Sequence, residues 1–150
     1  MPSYYGDFVT PSSYALPADL AEYTGTAAPA NATVLLRSAT NLVLDATNQA
    51  YYAVDPATGL PTDVQILAAL KLATVIQAAA WAAIGYDPLT GGVATVSVVQ
   101  SSKAGQSSDT FADAQLAAQA RQDAIRGLVP EAERVLRYNN LLIPNPWVFG

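Results

Sequence analysis

The chain contains no cysteine and no histidine. The first absence excludes disulfides, thiol nucleophiles and thiolate metal sites. The second removes the commonest general base and an important metal ligand. Charge is scarce too: only 13% of the 150 residues are Asp, Glu, Lys or Arg, about half the share usual in soluble domains. A surface this poor in charge suits contact with other proteins over a large area, with an ordinary low-charge monomer as the alternative. A basic stripe is also missing. The net charge is −5, and residues 1–63 carry Asp7, Asp19, Glu22, Asp45, Asp55 and Asp63 against the single base Arg37. From residue 64 onward acids and bases cancel. Without clustered Lys and Arg to neutralise phosphates, a DNA-gripping role is disfavoured. The start "MPSYYGDFVTPSSY" lacks the basic residues and apolar run of a signal peptide, so synthesis in a cytoplasm is expected.

What is present is apolar and helix-forming. Half the residues are hydrophobic, 51%, much of it alanine, and the length fits one domain with a sizeable core. Residues 1–16 read as an extended arm bearing Tyr4, Tyr5, Phe8 and Tyr14. The segment "PADLAEYT" then opens with proline at a helix-compatible first position and stops before Gly25. A second helix is predicted over 31–48, with Asn31 as N-cap. Leu35, Ala39, Leu42, Val43 and Ala46 form its apolar face, and Arg37, Asn41, Asp45 and Asn48 lie opposite.

The third helix is predicted to start at Thr62 as N-cap and to end at Gly85. Its polar residues Gln65, Lys71, Thr74 and Gln77 fall on different sides, the pattern of a helix buried in the centre of a bundle. A membrane span is the alternative for 66–84. Lys71, the alanine content and the absence of cationic flanks weigh against it. "VATVSVV" alternates and is β-branched, as a strand would be, and the polar "QSSKAGQSSD" leads to "TFA", a possible return strand. A fourth helix is expected over 113–126. A fifth begins at Pro130, with pairs Glu131–Arg134 and Glu133–Arg137 and a packed side marked by Val135 and Leu136. The expected fold is mainly α: a small bundle of four to five helices over 17–142, with an inserted β-hairpin or extended loop at about 93–111.

Catalytic signatures are few. No nucleophile elbow, phosphate-cradling glycine loop or dinucleotide fingerprint occurs. Ser101, Ser102 and Lys103 lie together but read as a polar loop tip. Asp19 and Glu22 stand three apart, either an acid/base pair or charges favoured at a helix start. The near-repeat "DPATG" (55–59) and "DPLTG" (87–91) brackets the third helix and reads as two turns rather than a calcium loop. "NAT" at 31–33 matches a glycosylation acceptor and is more simply a helix cap. No enzyme activity, cofactor or metal site is expected.

The order of elements carries more. "ATVLLRSATNLVLDATNQAYY", "GLPTDVQILAALKLATVIQAAAWAAIG", the Ser/Gly-rich "VATVSVVQSSKAGQSS" and the closing "LVPEAERVLRYNNLL" succeed one another. This succession resembles the head-to-tail adaptor (connector, or head-completion) proteins of long-tailed bacteriophages, over about residues 17–142. The resemblance implies a virion protein made in the host bacterial cytoplasm. It implies a ring of about twelve copies under the portal protein, linking capsid to tail and receiving the next connector, stopper or tail protein. Double-stranded DNA would pass through the lumen without specific binding; the net charge of −5 per subunit adds the expectation that carboxylates lining such a lumen would repel phosphate. No membrane is involved. A neck or tail-completion protein at the top of the tail tube is the alternative.

Two segments stand out as candidate contacts. The tail 143–150 combines Pro144 and Pro146, which stiffen it, with Ile143, Trp147 and Phe149, residues suited to anchoring an interface. It is expected to dock on the portal or an adjacent subunit, the alternative being a fold back over its own bundle. In the hairpin, the edge formed by Val96, Val98 and Val99, with Lys103 at the tip, is expected to face another subunit or the lumen, the alternative being a self-contained surface hairpin.

Overall fold

The computed structural model describes residues 9–90, 92–93 and 108–142. The expected strand residues Val96, Val98 and Val99, the tip Lys103, and the tail with Ile143, Pro144, Pro146, Trp147 and Phe149 lie outside the described residues. The protein is mainly helical, with its helices packed around a central one. Helices α1 (Pro17–Thr24), α2 (Ala32–Ala46) and α3 (Val64–Ile84) are followed by a two-residue ladder of β1 (Tyr86–Asp87) and β2 (Gly92–Val93). Helices α4 (Ser108–Arg126) and α5 (Pro130–Tyr138) complete the order.

Helix α3 is the centre. Every other helix packs on it, and Ala69, Leu70, Ala73, Thr74, Val75, Ile76, Gln77, Ala78 and Trp81 are buried along it. Its apolar length also meets the requirement for crossing a membrane. Half of that apolar window, 50%, is buried among the surrounding helices. Its N-cap is Asp63, one residue beyond the expected Thr62: Asp63 Oδ1 accepts the N–H groups of Gln65 (2.8 Å) and Ile66 (3.2 Å). A carboxylate is the stronger acceptor at the positive end of the helix dipole, which explains the shift.

The core divides into two clusters along α3. Leu20, Leu35, Leu36, Ala39, Val75 and Trp81 form one, joining α1 and α2 to the second half of α3. Tyr14, Val43, Leu70, Ile76, Ala132, Leu136 and Leu141 form the other, joining α2 and α5 to its first half. On α2 the buried face includes Leu36 and Thr40 beside the expected Leu35, Ala39 and Val43. Thr40 is tolerated because its hydroxyl donates to the Leu36 carbonyl (2.8 Å) and accepts the Tyr14 N–H (3.1 Å). That second bond draws the inner end of the N-terminal arm into the core.

Tyr14 itself is buried, and among the described residues its hydroxyl has no hydrogen-bond partner. Burial, and after it the neighbouring Tyr52, push the phenol well above its ordinary pKa. Removing an unpaired buried hydroxyl forfeits no bond. Tyr14→Phe is therefore expected to leave stability unchanged or raise it by up to about 1 kcal/mol, measured as the urea midpoint.

The turns expected at "DPATG" and at "DPLT" (87–90) form. Asp55 Oδ1 accepts the Ala57 N–H (2.8 Å), and the Asp55 carbonyl accepts the Gly59 N–H (2.7 Å). Asp87 Oδ1 accepts the Leu89 N–H (3.0 Å) in the second, where β1 and β2 pair across the turn. The first turn is also a platform. Gly59 has φ +74°, and a Cβ there would collide with the Val9 carbonyl. Gly25, capping α1, has φ +73° but open space around it. Gly25→Ala should thus cost about 1 kcal/mol of conformational strain. Gly59→Ala should cost about 2 kcal/mol, because the arm must also move. Equal losses in denaturant melts of the two variants would contradict this packing of the arm.

Helix α4 begins at Ser108, five residues before the expected start, so Thr110–Phe111–Ala112 are helical instead of opening a return strand. The alanine-rich run that follows supplies a helix, and extending an existing helix costs little compared with starting a strand without a paired neighbour. Helix α5 has Pro130 in its first turn, and both predicted pairs form, Arg134–Glu131 at 3.0 Å and Arg137–Glu133 at 3.6 Å. Asn140, with φ +59°, ends it, and the Leu141 N–H reaches back to the Leu136 carbonyl (2.9 Å). This closure folds Leu141 into the core.

Candidate functional site

Two surface features emerge from this framework. The first is α4. Residues 113–120 are all exposed, and among the described side chains of the helix those seated on the body are at its end, where Arg121, Ala124 and Ile125 are half-buried. The seating is polar. Gln77, completely buried in α3, donates from Nε2 to the carbonyls of Ala124 (3.0 Å) and Gly127 (3.3 Å) and accepts the Val129 N–H at Oε1 (2.8 Å). Trp81 Nε1 donates to the same Ala124 carbonyl (2.7 Å), and its ring leans on Tyr86 at 5.1 Å. One glutamine and one indole thus satisfy the otherwise unpaired backbone where α4 ends and α5 begins. They fix the direction in which α4 leaves the body.

The second feature is a groove between α1 and α3, about 380 Å³ in volume. Tyr23, Ala68, Leu72 and Val75 form its apolar wall, and Asp19, Glu22 and Lys71 line it as well. Tyr23 and Leu72 remain 49% and 42% exposed, so the groove leaves apolar surface open to solvent. Its floor exists because α1 is only two turns long and covers just the middle of α3. The sequence reading placed no pocket near Asp19 and Glu22; the structure does, and its character is apolar.

Asp19 is engaged within this groove. Its Oδ2 accepts the Leu16 N–H (2.8 Å) and its Oδ1 pairs with Lys71 Nζ (3.0 Å). The Leu16 N–H first, and Lys71 after it, hold its carboxyl below the usual range, against an opposing effect of burial. A carboxylate held ionised in this way caps a helix and is ill suited to donating or relaying protons near neutrality. Its contribution to stability is present above the unfolded carboxylate pKa and is lost as pH falls through the lowered folded value. Glu22 borders the same groove.

Further exposed apolar side chains are spread over the surface: Leu16, Tyr51, Val64, Leu89, Leu116 and Tyr138. Among the described residues, no three metal-ligating side chains gather. Of the residues singled out from the sequence, the tail anchors and the hairpin edge lie beyond the description. The Gln77–Trp81 lock and the α1–α3 groove were not anticipated. The signal for the first was available: a glutamine in the apolar middle of a central helix requires partners when buried. The groove left no such signal, because it depends on where a short helix crosses a long one. Comparison with family models, curated proteins and solved structures finds no match to the chain.

Proposed function

We propose that the chain is a structural adaptor of a bacteriophage particle, forming a ring of about twelve copies between the portal protein and the tail. The observation that carries this reading is α4. A helix exposed over residues 113–120 gains little from its own body, and isolated helices of this length are marginal in water. Its direction is nevertheless fixed by buried hydrogen bonds to Gln77 and Trp81. A rigidly aimed, unsupported helix is what a subunit presents to a neighbour, and the low charge content and exposed apolar side chains fit the same use. The succession of elements supports the particular assembly.

In this role the protein performs no chemistry. Its side chains supply contact, and the acidic balance of the chain lets DNA slide past the ring. The tail 143–150 is the portal-docking element, with Trp147 and Phe149 as anchors and Pro144 and Pro146 limiting the entropy lost on docking. Co-sedimentation with isolated portal rings tests this. The full chain is expected to bind, and a chain ending at Leu142 is expected to bind at least about tenfold more weakly. Equal binding by both would contradict tail docking, and no binding by either would contradict the portal as partner.

A further inference from the structure

We propose that the α1–α3 groove is the seat of the chain's own C-terminal segment, residues 143–150, with the Trp147 ring against Leu72 and Val75. This goes beyond the adaptor reading and does not depend on it, since it concerns the free chain. Three observations converge on it.

The first is position. The end of α5, at Asn139 and Asn140, lies beside Gln65 and Ile66 in a shared surface cleft. Gln65 and Leu72 are seven positions apart on α3, which places them on one stripe of the helix, about 10 Å apart along its axis. Ala68 lies on this stripe between them and lines the groove. The chain therefore leaves the body close to the low end of the stripe that leads to the groove.

The second is reach. Asn140 and the Leu141 closure end α5 abruptly, and the segment after Leu142 contains two prolines. In extended polyproline form residues 143–147 span about 16 Å, which matches the roughly 15 Å from Gln65 to Val75 along α3.

The third is chemistry. The groove joins an exposed tyrosine face and a leucine to a lysine and two carboxylates. Proline-rich segments are held in grooves of this kind, prolines on aromatic faces and larger side chains in the adjoining apolar pocket. Tyr23 offers the face, and Leu72 with Val75 the pocket. Lys71, held by Asp19 at the edge, lies where a cation can meet the face of an indole. A volume of about 380 Å³ accommodates an indole and a neighbouring proline. Seated there, the tail covers the apolar surface that the short α1 leaves open, and it is withheld from other partners until one competes for it.

The chain's lack of cysteine makes the test direct. Full-length protein with Glu22→Cys and Val148→Cys is treated with a short bismaleimide at concentrations where it sediments as a monomer. A control carries Asn41→Cys, on the exposed face of α2, with Val148→Cys. Rapid intrachain cross-linking of the first pair is expected, at least about fivefold faster than the control. Adding Leu72→Glu, or separately the milder Tyr23→Ser, should abolish that preference. Both positions are partly exposed, and circular dichroism confirms that the helices remain. Equal rates for the two pairs, a preference that survives both groove variants, or cross-links only between chains would each overturn the proposal. None of these outcomes involves the portal, so the adaptor reading stands or falls separately.

Discussion

Gln77→Leu is expected to destabilise the chain by about 3 kcal/mol, lowering the thermal midpoint by roughly 10 °C. Leucine matches the glutamine in volume and suits the surrounding apolar side chains, so little packing is lost. The loss arises from the partners left behind. The Val129 N–H and the Gly127 carbonyl lose the side chain that satisfies them, and leaving a partly buried backbone group unpaired costs about 1–3 kcal/mol. The Ala124 carbonyl keeps its bond from Trp81. The damage should therefore be local before it is global, with amides around 124–129 exchanging faster than those in the middle of α2. A variant as stable as the parent would show that the α4–α5 junction holds without this amide.

Trp81→Ala should cost more, about 4 kcal/mol. The indole is 3% exposed, fills the cluster between α2 and α3, leans on Tyr86 and donates at 2.7 Å to Ala124. Truncation removes both volume and bond. Trp81→Phe separates the two, retaining most of the ring and losing only the donor, at a cost of about 1–2 kcal/mol. Because Gln77 and Trp81 share the Ala124 carbonyl, their losses should not add. In a double-mutant cycle of Gln77→Leu with Trp81→Phe, a coupling of about 1 kcal/mol is expected, since the second change finally strips that carbonyl bare. Additive losses would mean that the two side chains act on separate parts of the junction.

These two residues also mark the limit of what the chain reveals before it is folded. The bounds of α1, the centrality of α3 and the ion pairs of α5 were legible because each has a local cause: a proline and a glycine at the ends, an apolar surface all round, charges three or four apart. The cap of α3 was misplaced by one residue because Thr62 and Asp63 both qualify locally, and only the carboxylate's reach to two N–H groups decides. Thr110–Phe111–Ala112 carried weak propensity either way, and the helix that follows them prevailed. The groove and the lock were not legible, since both join residues far apart in sequence. Asp19 meets Lys71 from a different helix, and Gln77 meets Val129, which follows it in the chain only after the whole of α4. No local pattern encodes such a meeting; the packing angle of the helices creates it. The arm behaved in the same way. Tyr14 read as part of an extended arm, yet its N–H finds Thr40 inside the core.

The adaptor account depends most directly on where the protein sits in a particle, and electron microscopy of the protein mixed with portal rings, beside the protein alone, measures that. The account predicts a new layer of about twelve copies on one end of the portal, with α4 of each subunit against its neighbour. A bare portal, with the protein joined to the tail tube or remaining a lone monomer, would contradict it and favour a tail-completion role.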